Sequence, residues 1–515
     1  MRPGSGWPTL VAAVVSGLLE ALAFPPAEWV VLLPLALVPW LVALRREESA
    51  GRALLSGLLF GLAFWCASIP WIVYVVTRYG GQSPALGVSS LVILAAILAE
   101  WPAVVAWGTV AAGPPGSPRR LAAFPLLWMA SEHARSFVYG GFPWNLTGHA
   151  LYRHPIWMQS ASIWGVFGLS ALVVGVSAAV ASAIAERRLR PLLAAGAVVL
   201  AAGLGGAVRL ASSPDSGAPI RVALLQPNRT EEMRATPEGA RAGYAAVVEQ
   251  ARDAAEQAPE LIVIPESALS SSWDRDFGMR QDLATIARKG PASILFNDFQ
   301  DGADGRYYNA ARLLTPQGIA GAPYRKVHLV PFGEYVPLPR VFFFVRQISQ
   351  AVGEFSAADE PVLIRSGRLA IGMGICYEVI YPSLARREVA DGANLLATVS
   401  NDSWYGRAGA QEQHFAGAVL RTVENSRYLL RAAITGISGI VDSRGRIRAE
   451  APPDVKATVT GVARLEDRLT AWTRWGFWIP RVADVAAIGV LISGLVRWLR
   501  NRRLMADGPR RTTET

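Results

Sequence analysis

Three residues with complementary chemistry stand far apart in the chain, each beside an apolar stretch. Cys376 follows Leu369-Ala370-Ile371-Gly372-Met373-Gly374-Ile375 and precedes Tyr377-Glu378. Glu266 follows Leu261-Ile262-Val263-Ile264 within Pro265-Glu266-Ser267. Lys326 lies in Tyr324-Arg325-Lys326-Val327-His328-Leu329-Val330-Pro331-Phe332-Gly333-Glu334. A thiol is a strong nucleophile only as thiolate, so a nearby base must take its proton. A carboxyl group whose pKa is raised by burial suits that task, and Glu266 is the candidate. Attack on a carbonyl builds an oxyanion, which a fixed cation and a backbone N–H can stabilise. Lys326 would be the cation and the N–H of Tyr377 the second donor. Each residue also has a plainer reading, because free cysteines are often inert core residues and lysines are usually surface charges. Lysine, however, occurs only at 289, 326 and 456, all other basic residues being arginine, and one of the three falls inside the most distinctive motif.

The elements that must position these groups follow from a strand–helix alternation after residue 210. Ala211–Pro219 is rich in Ser, Pro and Gly, a linker composition. Strands are expected at Ile220–Leu225, Leu261–Ile264, Ser293–Phe296, Tyr308–Leu314, Leu369–Ile375, Leu395–Val399, Gly439–Asp442 and Ala457–Ala463. Helices are expected at Pro237–Gln257 and, as one long element, Gln411–Ala433. Continuous apolar strands alternating with helices predict an α/β layered domain with its strands covered on both faces. Polar residues at the carboxyl ends of those strands are where a site belongs.

The first 210 residues read differently. The chain has 515 residues, 52% hydrophobic and only 17% charged, with mean hydropathy +0.28. A soluble domain carries about a quarter charged residues. Apolar runs near 7–24, 28–44, 53–76, 85–111, 121–138, 158–185, 191–209 and 484–498 approach the ~20 residues that cross a bilayer. The last run could begin as early as 478. Arginines cluster after alternate runs: Arg45, Arg46 and Arg52; Arg119 and Arg120; Arg187, Arg188 and Arg190; Arg497 and those beyond it. By the positive-inside rule both termini are cytoplasmic, and seven crossings place residues 210–477 outside the cytoplasm. The net charge of +10 is therefore a topology signal, not a nucleic-acid footprint. No zinc-ligand spacing and no disulfide framework is present, so neither a metal nor another cofactor is expected. Glu20 and Glu100 interrupt apolar runs and are expected to face the bundle interior, with a functional role as the alternative. The segment Gly140-Gly141-Phe142-Pro143-Trp144-Asn145 reads as an interfacial aromatic belt, or as a contact for a lipid headgroup.

At this point the residues carry a resemblance. Glu266, Lys326 and Cys376, in this order, resemble the Glu-Lys-Cys triad of the nitrilase superfamily. With the membrane runs around it, the chain is similar to the apolipoprotein N-acyltransferase family. The resemblance rests on Pro265-Glu266-Ser267, on Lys326 through Pro337, on Cys376-Tyr377-Glu378 and on Ser400-Asn401-Asp402-Ser403-Trp404-Tyr405-Gly406, and it covers most of the chain. It implies a polytopic helical membrane bundle of about eight spans plus an αββα sandwich. The corresponding divisions are a bundle at 1–210, a catalytic domain at 211–477, a last membrane helix at 478–500 and an Arg-rich tail at 501–515. It also implies Glu266 as general base, Cys376 as acyl-carrying nucleophile and Lys326 as oxyanion stabiliser. Glu334 and Glu378 match further essential carboxylates, acting either on the reacting atoms or by anchoring neighbours. Tyr377, Trp404 and Trp144 are candidates to line the substrate pocket, or are ordinary packing. The chain departs from the family pattern in lacking a tryptophan near Met233 and in having Ile434 where an asparagine is common.

The implied reaction is ping-pong. Cys376 takes an acyl chain from a phospholipid, with phosphatidylethanolamine as the implied donor. It then passes the chain to the α-amine of the diacylglyceryl-cysteine of an apolipoprotein, at the outer face of a bacterial inner membrane. Val341–Val345, with Phe342 and Phe343, is expected to form an arm resting on the membrane and touching substrate, or else a core strand. Trp472, Trp475, Phe477 and Trp478 read as interfacial anchors. The rival readings are a membrane-anchored amidase of the nitrilase type and a non-enzymatic transporter or scaffold.

Overall fold

The computed structural model describes residues 7–212, 216–269, 271–290, 292–331, 333–335, 355–476 and 478–506. Phe342, Phe343, the rest of the expected arm and Phe477 lie outside them.

The first part is helical. Helices Ala50–Ser68, Pro84–Ala111, Ala161–Glu186, Arg190–Ala211 and Trp478–Arg497 are long and apolar enough to cross a membrane. Trp7–Ala21 is a shorter apolar helix. The 28–44 run is broken into a turn at Val30–Leu32 and helices Leu33–Ala36 and Val38–Arg46. The 53–76 run stops at Ser68, and the chain resumes as Trp71–Tyr74 beyond Pro70, which has no N–H to continue the ladder. Pro118–Arg135 carries charges at both ends. The last helix begins at Trp478, the earlier of the expected starts.

Small residues let the helices approach. Gly57 and Gly61, one turn apart, face the Pro84–Ala111 helix. A Cβ on Gly57 would lie 2.4 Å from the Cα of Ala103, and one on Gly61 2.6 Å from that of Ala99. Without a hydrophobic drive between helices in lipid, such backbone proximity supplies the dispersion contact that holds them. Trp40 fills the adjoining space. It stacks on Phe60 at 4.5 Å and donates from Nε1 to Ser56 Oγ at 3.0 Å. Glu20 is buried as expected, but Glu100 faces outward. Trp472 is no interfacial anchor: it is buried over Gly165, where the Ala161–Glu186 helix has a non-helical residue with φ +68°. Trp475 and Trp478 are exposed, as an anchor requires.

The α/β part is two stacked sheets. β1 (Ala218–Gln226), β2 (Leu261–Val263), β3 (Ser293–Asp301), β4 (Tyr307–Thr315), β5 (Gly318–Ile319), β6 (Tyr324–Arg325) and β13 (Ala457–Leu465) form one, in the order β13-β1-β2-β3-β4-β5 with β6 also on β4. β7 (Ile364–Ser366), β8 (Leu369–Ile375), β9 (Leu395–Ser400), β10 (Leu429–Ala433), β11 (Ser438–Val441) and β12 (Ile447–Ala451) form the other, in the order β12-β11-β10-β9-β8-β7. β1, β2 and β3 run parallel, as do β8, β9 and β10. Alternate residues of β1 serve two cores. Ile220, Val222 and Leu224 meet Ile371, Met373 and Ile375 between the sheets, while Ala223 and Leu225 meet the helices Pro237–Glu256 and Phe277–Lys289. This double burial makes the strands continuously apolar and gives the αββα layering.

The long helix expected over 411–433 is two elements. It ends at Asn425, Ser426 turns the chain at φ +50°, and Leu429–Ala433 becomes β10. No Gly or Pro marks that boundary. The break is set by the vacancy beside β9, which Leu429–Ala433 fills as a parallel strand.

The two parts share one apolar core, running from Trp40 and Phe124 of the bundle to Ile380, Phe415 and Val419 of the sandwich. The 140–145 segment lies inside this junction, so it is not an aromatic belt. Trp144 is 1% exposed and donates to Gln413 Oε1 at 2.7 Å. Gln413 Nε2 donates to the carbonyls of Pro25 and Ser68 at 2.8 and 2.7 Å.

The Gly57 contact makes a direct prediction. Gly57→Leu must push the two helices apart, and overpacking of this kind costs about 1–3 kcal/mol. Gly196, whose Cβ would meet nothing within 4 Å, provides the control. Thermal unfolding in detergent should show a lowered Tm for Gly57→Leu and an unchanged one for Gly196→Leu.

Candidate active site

The strands deliver Glu266, Lys326 and Cys376 to one place. Glu266 follows β2, and Cys376 follows β8 with its backbone at φ +53°. An L-residue rarely holds that left-handed conformation, so neighbouring structure must fix it. Lys326 follows β6, and its N–H donates to the carbonyl of Asn309 on β4 at 2.8 Å. Glu266 and Cys376 thus leave the carboxyl ends of parallel strands, one in each sheet.

Lys326 is almost fully buried, at 1% exposed. Its Nζ donates to Glu334 Oε1 at 2.9 Å and lies 3.9 Å from Glu266 Oε1. Asn309 Nδ2 bridges the same two carboxylates, at 2.8 Å from Glu266 Oε1 and 3.1 Å from Glu334 Oε1. Asn309 is held in turn by Asn297, whose Nδ2 reaches its Oδ1 at 2.7 Å. Glu266 Oε2 accepts the N–H of Asn401 at 2.9 Å. The base candidate therefore has one oxygen on the lysine side and the other on the turn after β9.

Electrostatics follow from burial. Burial pushes the Glu266 carboxyl up; Lys326 opposes this and Glu334 adds to it. Burial also raises the Cys376 thiol, and the Glu266 charge raises it further against the pull of Lys326. The thiol therefore rests protonated. Burial works against the Lys326 charge, but Glu334 and Glu266 outweigh it, so Lys326 stays an ammonium. A protonated thiol beside a carboxyl of raised pKa and a fixed cation is suited to proton transfer concerted with attack.

The supporting carboxylates differ in what they touch. Glu334 Oε2 accepts the N–H of Val330 at 2.8 Å while Oε1 holds Lys326. Glu378 is spent on backbone: Oε1 accepts from Val327 and His328 at 2.7 and 2.9 Å, and Oε2 from Ile375 and the Tyr324 hydroxyl at 2.8 and 2.9 Å. Burial raises it to about 7, against Lys326 and those N–H groups. Of the two readings of Glu378, the geometry matches anchoring: it ties the lysine segment to the cysteine turn.

The aromatic candidates lie on the junction side. The Tyr377 ring sits 6.5 Å from Trp144 and 5.4 Å from Tyr381, and its hydroxyl donates to the carbonyl of Gly141 at 3.1 Å. Trp144 is closed in between Tyr377 and His414. Trp404 is half-buried, with its ring 4.8 Å from that of Tyr79 at the end of the Val75–Tyr79 turn. Among the described residues, no group of three or more His, Cys, Asp or Glu is placed to hold a metal ion.

Asn309, Asn297 and His414 had no part in the sequence reading. A signal existed for the asparagines: both are polar residues within the buried stretches of their strands. For His414 there was none, since nothing local links it to residue 376.

Comparison with known proteins agrees with both halves of this arrangement. Residues 16–179 match the family model described as the apolipoprotein N-acyltransferase N-terminal domain, and residues 221–473 match that of the carbon-nitrogen hydrolases. The apolipoprotein N-acyltransferase of Geobacter metallireducens is 35% identical over 93% of this chain and 94% of its own. That of Methylococcus capsulatus is 31% identical over the same shares. A solved amidase from Nesterenkonia sp. aligns 94% of its chain with 50% of this one, at a TM-score of 0.37 and 21% identity. On the strength of the two relatives and the paired family models, the chain belongs to the apolipoprotein N-acyltransferase family.

Proposed function

We propose that this protein is a membrane-embedded acyltransferase that acylates the N-terminal amine of lipoproteins, with Cys376 as the acyl carrier. The observation that carries this reading is the buried Lys326 ammonium, held between Glu334 and Glu266 beside the Cys376 turn. The donor is a phospholipid, phosphatidylethanolamine in our reading. The acceptor is the α-amine of a diacylglyceryl-cysteine. Residues 1–210 and 478–500 hold the enzyme in the bacterial inner membrane, 211–477 face the periplasm, and the tail from 501 is cytoplasmic. The positions of the arginine clusters support that orientation.

Sγ of Cys376 attacks the ester carbonyl carbon as its proton passes to Glu266. Negative charge collects on the carbonyl oxygen, stabilised by Lys326 and the N–H of Tyr377. The C–O bond breaks, Glu266 protonates the leaving glycerol oxygen, and lysophospholipid departs. The acceptor amine then attacks the thioester and gives a proton to Glu266. The C–S bond breaks, and the thiolate recovers that proton. Water must stay out of the thioester stage, and the continuous apolar core between bundle and sandwich supports such exclusion. A hydrolase would discharge the same thioester to water.

Mass spectrometry of the chain after exposure to phospholipid should show one acyl adduct on Cys376, discharged by an N-terminal diacylglyceryl-cysteine peptide faster than by water. Cys376→Ala should show none; an adduct persisting in that variant would sink the reading. Lys326→Met removes an oxyanion donor and should slow adduct formation by about 10²–10³-fold in single-turnover kinetics. Glu266 acts as a base only when unprotonated, and burial raises its pKa above the ordinary carboxyl value. The acylation rate should therefore rise with pH through a midpoint above that value and be lost on acidification sooner than for an ordinary carboxylate. Glu266→Gln should abolish the acidic limb together with most of the rate.

A further inference from the structure

Behind Cys376 lies a buried polar chain that the proposed mechanism does not use. His414 is on the Ala410–Asn425 helix, and its Nε2 is 3.0 Å from the carbonyl oxygen of Cys376. A carbonyl oxygen only accepts, so Nε2 carries the hydrogen and donates it. Nδ1 lies 3.0 Å from Asp402 Oδ1 and 3.1 Å from Arg431 Nη2. Whether Nδ1 is bare or protonated, the Nε2–H remains directed at Cys376. Arg431 Nη2 donates to Asp402 Oδ2 at 2.6 Å, and the Ser400 hydroxyl donates to Asp402 Oδ1 at 2.6 Å. Arg431 Nε donates to the carbonyl of Ile437 at 3.1 Å. The side chains of His414, Asp402 and Arg431 are fully buried. Trp144 from the bundle closes one face of the imidazole, with ring centroids 5.5 Å apart.

The atom that His414 grips matters because of what shares its peptide group. The Cys376 carbonyl and the Tyr377 N–H belong to one planar amide and point in opposite directions. Turning this amide over, by rotation about ψ of Cys376 and φ of Tyr377, would point that N–H the opposite way. A donor fixed on the carbonyl opposes that flip. It also polarises the amide, which strengthens its N–H as a donor.

We infer that His414 is a positioning residue for the transfer reaction: by donating Nε2–H to the Cys376 carbonyl it holds the Cys376–Tyr377 amide so that the Tyr377 N–H faces the oxyanion. Asp402 and Arg431 hold the imidazole in register from one side, and Trp144 does so from the membrane bundle. This rests on Cys376 being the nucleophile, as proposed above.

The test compares variants with and without the donor. His414→Gln retains a side-chain N–H, whereas His414→Met and His414→Phe retain bulk but no donor; whichever of the latter two folds supplies the comparison. Two rates are read on the full-length enzyme in detergent. The first is single-turnover acylation of Cys376 by phospholipid, which builds an oxyanion. The second is alkylation of Cys376 by iodoacetamide, which builds none. The donorless variant should acylate about 10- to 100-fold more slowly, short of the 10²–10³-fold for outright loss of a donor. KM for phospholipid and the alkylation rate should stay at wild-type values, and His414→Gln should recover most of the acylation rate. Wild-type acylation in the donorless variant overturns the inference. So does an equal loss in His414→Gln, which would make shape and not the donor decisive. A matching fall in alkylation overturns it too, because the thiol itself would then be displaced. Absence of any adduct in the wild-type enzyme would instead overturn the proposed function.

Discussion

The structure depends on placing an ammonium group out of reach of water. A lone buried cation is prohibitively costly, so Lys326 can exist at 1% exposure only with carboxylates and their own hydrogen-bond partners already in place. Glu334 provides the direct partner and Glu266 the second. Asn309 spans both carboxylates, Val330 and Asn401 satisfy the remaining oxygens, and Asn297 holds Asn309. The partners come from β3, from β4 and from the segments that follow β2, β6 and β9. The sandwich must therefore be fully assembled before the charge is tolerable, and the same assembly leaves one cation facing the cysteine turn. Stability and reactivity share one set of contacts.

The cysteine turn is stabilised from two directions. Glu378 anchors it to the lysine segment by accepting from Val327, His328 and Ile375. The membrane bundle anchors its outer side. Tyr377 and Tyr381 donate to the carbonyl of Gly141, Arg135 donates to those of Phe142 and Trp144, and Gln413 ties Trp144, Pro25 and Ser68 together. The bundle is therefore more than an anchor for a soluble domain. Its 140–145 segment forms a wall of the junction on which the cysteine turn rests, and this is why an aromatic, Gly/Pro-rich loop that looks interfacial in the sequence is buried in the structure.

Where the sequence reading failed, the missing information was tertiary. Leu429–Ala433 looks like a helix continuation because no breaker precedes it, but the open edge of β9 makes it a strand. Glu20 and Glu100 are the same residue type in similar apolar runs. One is buried and the other faces outward: Gly17 sets one face of the Trp7–Ala21 helix against Phe60 and Phe64, whereas the Pro84–Ala111 helix turns Ala99 and Ala103 to Gly57 and Gly61 and leaves Glu100 outside. Trp472 and Trp475 are one turn apart, yet only Trp475 is exposed; Gly165 makes room for the other.

The sequence by itself determined the chemistry and the layered domain. Strands buried on both faces must be continuously apolar, and reactive residues at their carboxyl ends interrupt that pattern visibly at Glu266 and Cys376. Lys326 stood out because lysine is nearly absent from the chain. Tertiary structure alone decided the distances among those groups, the separation of Glu334 and Glu378 into a lysine partner and a backbone anchor, and the chain of contacts from Arg431 through His414 to the Cys376 carbonyl. Those depend on side chains far apart in sequence meeting in a dry interior, where an unpaired polar group is costly. Local pattern records which residues are buried, but not which of them satisfy one another.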